Sequence, residues 1–177
     1  MKLLAIDDNH DNLVALTAML RSALPDCETA TARSGKAGIA TARVFQPDTI
    51  LLDIQMPGMD GFQVCRVLKD DPATRHIPVI FLTAQRTDPA SRIHGLEIGG
   101  DAFLSKPVEL GELLAQVRAM VRLKRAEDAL RAETQSLERA VDERTAALQE
   151  SEANLREAQE IARMGRWELD LATNRLV

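Results

Sequence analysis

Five side chains in this sequence have types that could together handle a phosphoryl group: the adjacent acids Asp7 and Asp8, a third acid at Asp53, the hydroxyl of Thr83 and the ammonium of Lys106. Carboxylates gathered around a small space suit a hard divalent cation such as Mg²⁺, which prefers oxygen ligands and keeps several waters. A carboxylate also attacks phosphorus competently once the charge on the transferring group is neutralised, so the chemistry reduces to positioning and cationic stabilisation. One of the three acids is then a candidate nucleophile, and Lys106 supplies the ammonium. Thr83 can donate its hydroxyl to a phosphoryl oxygen and couple the added charge to the loop and helix that follow. Each residue alone has a blander reading. Asp7-Asp8 could only cap a helix N-terminus, where the dipole favours acids, and Thr83 could be a turn hydroxyl. The combined reading depends on whether the chain brings these residues to one place.

The order of elements says that it does. Short β-type runs alternate with helical patterns through the first part of the chain, which predicts a doubly wound α/β fold with a five-stranded parallel sheet. Lys2–Ile6 reads as a buried strand stopping at Asp7-Asp8. Leu13, Leu16, Leu20 and Leu24 then recur at helical spacing up to Pro25. The second strand falls near Cys27–Ala32, and Ser34-Gly35 starts a helix ending near Phe45. Thr49–Leu52 is a third strand ending at Asp53, and the third helix spans about Phe62–Lys69. Pro78–Leu82 is strand four, Pro89–Ile98 a weaker helix, Ala102–Leu104 strand five, and the fifth helix begins after Pro107. All five candidate residues therefore sit at carboxyl ends of strands, where open parallel sheets collect ligands.

Four segments in this order, Ala5-Ile6-Asp7-Asp8-Asn9, Leu51 to Gly61 (LLDIQMPGMDG), Phe81-Leu82-Thr83-Ala84 and Leu104-Ser105-Lys106-Pro107, resemble the receiver domain of two-component response regulators over about residues 1–121. The resemblance implies a flavodoxin-like fold in which Asp53 takes a phosphoryl group from a phosphohistidine on a histidine kinase or phosphotransfer protein. It implies that Asp8, Asp53 and the main-chain carbonyl of Gln55 ligate Mg²⁺, with Asp7 acting mainly through water, and that Thr83 and Lys106 contact the phosphoryl group. Phe103 matches the family's switch aromatic, and the Lys106–Pro107 bond is frequently cis in such domains. Beyond its own phosphorylation and dephosphorylation, such a module turns over no metabolite.

After about Val121 a stretch without glycine or proline, rich in Ala, Glu, Arg and Leu, runs to Met164 and reads as one long helix. With Leu113 at an a position, Met120, Glu127, Thr134, Val141, Leu148, Leu155 and Ala162 follow at seven-residue steps, and Leu123, Leu130 and Leu137 occupy d. Sustained heptads predict a coiled coil, here a parallel homodimer over Leu113 to Ala162. Its seam is imperfect, because Glu127, Arg144 and Ser151 fall at core positions and Glu133 would face Glu138. From Gly165 the pattern turns to strand-like alternation, and Ala158 to Leu171 (AQEIARMGRWELDL) resembles the opening of a PAS sensor domain. The expected organisation is a receiver at 1–121, a coiled-coil helix at 122–164, and at 165–177 the first strand of a PAS-like domain. That implies a longer signalling protein whose output lies further along.

A net charge of −5 argues against nucleic-acid binding and a polybasic membrane anchor, and the apolar run at the N-terminus is too short to span or to direct export. The reading is cytoplasmic. The two cysteines, Cys27 and Cys65, have neither disulfide-framework nor zinc spacing, and His10, His76 and His94 show no ligand pattern. Two other functions compete. A phosphohydrolase with an aspartyl nucleophile needs a second acid two residues on, where this chain has Gln55. A pure coiled-coil scaffold would not need all five site residues.

Overall fold

The computed structural model describes the backbone of residues 1–83 and 89–173 and the side chains of residues 1–83 and 89–162. It divides into two compact units, Met1–Glu127 and Asp128–Val177. In the first unit, β1 (Lys2–Ile6), β2 (Glu28–Ala32), β3 (Thr49–Asp53), β4 (Val79–Thr83) and β5 (Ala102–Ser105) form one parallel sheet in the order β2-β1-β3-β4-β5. Helices α1 (His10–Ala23), α2 (Gly35–Phe45), α3 (Gly61–Asp70) and α4 (Pro89–Glu97) alternate with the strands, and α5 begins at Leu110. This is the five-stranded, doubly wound parallel architecture anticipated from the sequence.

Alternation of side chains in the central strands builds two cores. Leu4, Ile6, Ile50, Leu52, Val79 and Phe81 face one side, with Val64, Cys65 and Leu68 of α3 and Ile39 and Ala42 of α2. Leu3, Ala5, Leu51, Ile80, Leu82 and Leu104 face the other, against Leu13, Leu16 and Leu20 of α1 and Leu113, Val117 and Val121 of α5. Both faces of β3 and β4 are covered, which is why their sequences run apolar without interruption. The helices start where capping chemistry allows. Asn9 accepts the Asp11 N–H, Ser34 that of Ala37, and Asp60 with Gln63 forms a capping box. The Arg43–Asp71 pair (2.7 Å) and the Lys69–Asp101 pair (3.0 Å) tie helices to loops away from the strand ends.

Two expectations are corrected. Leu113 was placed at the start of a dimer seam, but it is fully buried against the sheet, as is Val117, and Met120 packs on the same core. The sheet of the chain itself covers that stripe, so Leu123, 44% exposed, is the earliest seam residue with a free face. The strand anticipated from Gly165 is not formed, because α5 is helical from Leu110 through Thr173. A lone strand leaves its backbone donors and acceptors unpaired, whereas a helix satisfies them within the segment. Residues 174–177 of that tail lie outside the described residues, as does Ala84 of the fourth motif. No helix among the described residues is long and apolar enough to cross a membrane.

Candidate functional site

The acidic residues meet at the carboxyl edge of the sheet, where β1 and β3 lie side by side and their crossovers leave in opposite directions. Asp53 is the last residue of β3 and Asp7 directly follows β1. One carboxylate oxygen from each of Asp7, Asp8 and Asp53 lies within 4.8 Å of the others. Asp7 and Asp53 are buried, and Asp8 is half-buried. Lys106 follows β5 and reaches into this cluster, with Nζ donating to Asp7 Oδ2 and to Asp53 Oδ1, each at 2.7 Å. Its backbone is held as well, since the Lys106 N–H donates to the Thr83 carbonyl at 2.6 Å, and the Lys106–Pro107 peptide is cis.

Thr83 closes β4 one residue beyond Leu82, the register partner of Asp53, so its position adjoins the cluster. Gln55 follows β3 with its side chain exposed, while Met56 turns into the core. Two glycines shape this loop. Gly58 adopts φ +79°, open to glycine without a Cβ penalty, and a Cβ on Gly61 would sit 2.3 Å from the Asp53 carbonyl oxygen. Glycine at 61 therefore lets the start of α3 approach the end of β3. Phe103 lies apart from the acids. Its ring packs on Phe81 at 5.1 Å between centroids and beneath Gly95 of α4, with the Arg92 guanidinium 5.6 Å above it. His94 meets Phe62 edge-on.

Charge is unbalanced at the cluster, where three carboxylates gather and one ammonium bonds two of them, Asp7 and Asp53. Burial pushes the Asp53 carboxyl above its ordinary value, with the nearby Asp7 and Asp8 charges adding to the rise; the Lys106 bond opposes this without overcoming it. Burial alone would lower Lys106, but its bonds to Asp53 and Asp7 outweigh that and raise it. The two shifts fit one picture, in which the ammonium is amply compensated while Asp53 is not. A divalent cation with oxygen preference would relieve that excess, so the donor set fits Mg²⁺.

Sequence reasoning did not single out Asn12. Its Nδ2 donates to both Asp7 oxygens, at 3.1 Å to Oδ1 and 3.0 Å to Oδ2, and the Asn9 N–H adds a third bond to Oδ1 at 2.9 Å. The available signal was an amide in the first turn of a helix that begins just after two adjacent acids.

The family model for the response regulator receiver domain matches residues 3–118. The chain belongs to the response regulator receiver family. Response regulator PleD of Caulobacter vibrioides is 47% identical over 130 residues, covering 73% of this chain and 28% of PleD. The DNA-binding response regulator MtrA of Mycobacterium tuberculosis is 39% identical over 127 residues, covering 72% of this chain and 52% of MtrA. The chain therefore spans about half or less of the length of these two relatives. Among solved structures, the receiver domain of a signal transduction histidine kinase from Syntrophus aciditrophicus superposes with a TM-score of 0.61 at 32% identity, covering 68% of this chain and 89% of that one. The receiver domain of a sensor histidine kinase from Pseudomonas aeruginosa, solved with magnesium coordinated in its active site cleft, gives 0.61 at 28% identity, covering 68% and 96%. Receiver domains accept phosphoryl groups from histidine kinases and bind Mg²⁺ at their acidic site.

Proposed function

We infer that this receiver takes the phosphoryl group of a partner's phosphohistidine onto Asp53, and that the helix beyond it passes the change to an output region. The observation that carries this reading is the Lys106 ammonium bridging Asp7 and Asp53 at 2.7 Å each, beside a carboxylate cluster spanning 4.8 Å. An Asp53 oxygen attacks phosphorus, the phosphorus–nitrogen bond to histidine breaks, and the leaving imidazole retains the bonding pair. Asp8, Asp53 and the Gln55 carbonyl would hold Mg²⁺, with Asp7 acting through water. The cation would supply neutralisation of charge on the transferring group. Lys106 and Thr83 would steady the phosphoryl oxygens, and Phe103 beneath α4 would report the new charge to that helix.

The stalk reading rests on the apolar stripe Leu130, Leu137, Val141, Leu148 and Leu155, each 60–64% exposed along the helix. A second copy, pairing in parallel, would remove that stripe from water at about 25 cal/mol for each Å² buried. The resemblance of the tail to the opening of a PAS domain belongs to the same reading, because strand formation there would need the remaining strands of such a domain. A phosphohydrolase role is disfavoured by Gln55, which offers no acid two residues after Asp53.

The test is labelling with a small phosphodonor and Mg²⁺, followed by mapping of the modified residue. Label on Asp53 in the wild-type chain, lost in Asp53→Asn, is the expected result. Undiminished labelling of the variant would overturn the assignment.

A further inference from the structure

Asp7 is held more completely than its place at the edge of a reaction site requires. It is 2% exposed, and its two oxygens together receive the Lys106 ammonium, both contacts of the Asn12 amide and the Asn9 N–H. A carboxylate offers roughly four lone-pair positions, so these donors leave little capacity free. The amide orientation follows from chemistry, since the Asn12 oxygen turned toward a carboxylate would be repelled while the NH₂ group is attracted. Asn12 sits in the first turn of α1, whose start is fixed by the Asn9 cap, so the grip comes from a rigid element rather than a loop.

We propose that Asn12 is a positioning residue for phosphoryl uptake: by gripping Asp7 through its amide it keeps Lys106 shared with Asp53 and keeps Asp7 from turning onto the metal. The proposal rests on Asp53 as the phosphoacceptor. Lys106 stands equally far, 2.7 Å, from the acid that reacts and the acid that does not. Which acid holds it more tightly depends on what else each receives. Among the described residues Lys106 is the one side-chain donor to Asp53, whereas Asp7 also receives the Asn12 amide. Without the amide, a buried carboxylate loses two of its bonds, and a buried acceptor left unsatisfied takes the strongest donor within reach. Here that donor is Lys106 or the cation, and either choice draws it from the phosphoryl position.

Two variants of the full chain separate this role from packing. Asn12→Ala removes the grip. Asn12→Asp keeps the shape, loses the N–H donors and adds a carboxylate. Labelling rate with phosphoramidate at saturating Mg²⁺ is expected to fall about tenfold in both, the scale of losing a bond to a buried charge. Mg²⁺ affinity by calorimetry is expected not to fall in Asn12→Ala and to rise in Asn12→Asp. Rates within twofold of wild type in both variants would overturn the proposal. So would a normal rate in Asn12→Asp alone, which would make shape rather than donation the cause, or a loss of Mg²⁺ affinity matching the loss of rate. A wild-type chain that takes no label overturns the phosphoacceptor reading first and this proposal with it, which is distinguishable from labelled wild type with unaffected variants.

Discussion

The helix α5 carries two apolar stripes that look alike in sequence and differ in fate. Leu113, Val117 and Val121 are 0%, 0% and 5% exposed, whereas Leu130, Leu137, Val141, Leu148 and Leu155 are exposed at 60–64%. Residue type and helical spacing are the same kind of signal in both. The first stripe lies over a sheet that offers Leu3, Leu51, Ile80 and Leu104 as partners. The second stays open to solvent among the described residues. Apolar periodicity thus identifies a face that gains from being covered, while tertiary structure identifies what covers it.

The widest separation between the regions should appear in phosphorylation. Asp53→Asn is expected to lower phosphodonor labelling by more than about a hundredfold, since it removes the nucleophile, while Leu148→Ala leaves the labelling rate unchanged. Quantitative mass spectrometry of both variants checks this, and a Leu148→Ala loss approaching that of Asp53→Asn would erase the contrast.

Stability comes next. Leu113→Ala is expected to cost about 2–5 kcal/mol in urea unfolding of the receiver, through lost burial and a residual cavity. Leu148→Ala should leave that transition within about 0.5 kcal/mol, and instead reduce the self-associated fraction measured by light scattering. If the two variants shift the receiver transition equally, the exposed stripe is covered after all.

Mg²⁺ sharpens the comparison at the acidic end. At a hundred times its dissociation constant, a ligand of the folded state adds about 2.7 kcal/mol, so the receiver transition should move up while helix content beyond Asp128 is unaffected. Asp8→Ala should abolish the shift, and Asp7→Ala should only reduce it. Equal loss in both would mean that the two acids share the metal directly.

The smallest effect concerns pH without metal. Because the Asp53 carboxyl is raised, chiefly by burial and then by its charged neighbours, the folded state retains a proton that the unfolded chain has already lost. Stability contributed by this group is therefore lost as pH rises from the ordinary carboxylate value through the raised one. Asp53→Asn should melt slightly above wild type once pH exceeds that window, with the difference vanishing below it. Melting curves at several pH values decide it; a wild type more stable than the variant at neutral pH would show that the Lys106 bond dominates.

Much of the receiver was legible residue by residue. Uninterrupted apolar runs at Thr49–Leu52 and Pro78–Leu82 marked strands buried on both faces, and the capping residue Ser34 marked a helix start. Asp7, Asp8, Asp53 and Lys106 were legible as a group because strand ends of a parallel sheet share one edge. Asn12 was not, since an amide two residues into a helix has no periodic signature and acquires its role only from the carboxylate opposite. The assignment of Leu113 to a dimer seam went astray for a related reason. A heptad pattern does not record where a sheet ends.

The sequence by itself determined the order of the receiver's elements, the chemistry of the acids and lysine, and that a helix continues past Val121, because these follow from local propensity, period and residue type. Only the tertiary structure decided that one ammonium is divided evenly between Asp7 and Asp53, that the Asn12 amide holds Asp7, and that the helical stripe changes from buried to exposed beyond Val121. Each of these depends on what lies across a gap of a few ångströms between residues far apart in the chain, and no local pattern encodes that distance.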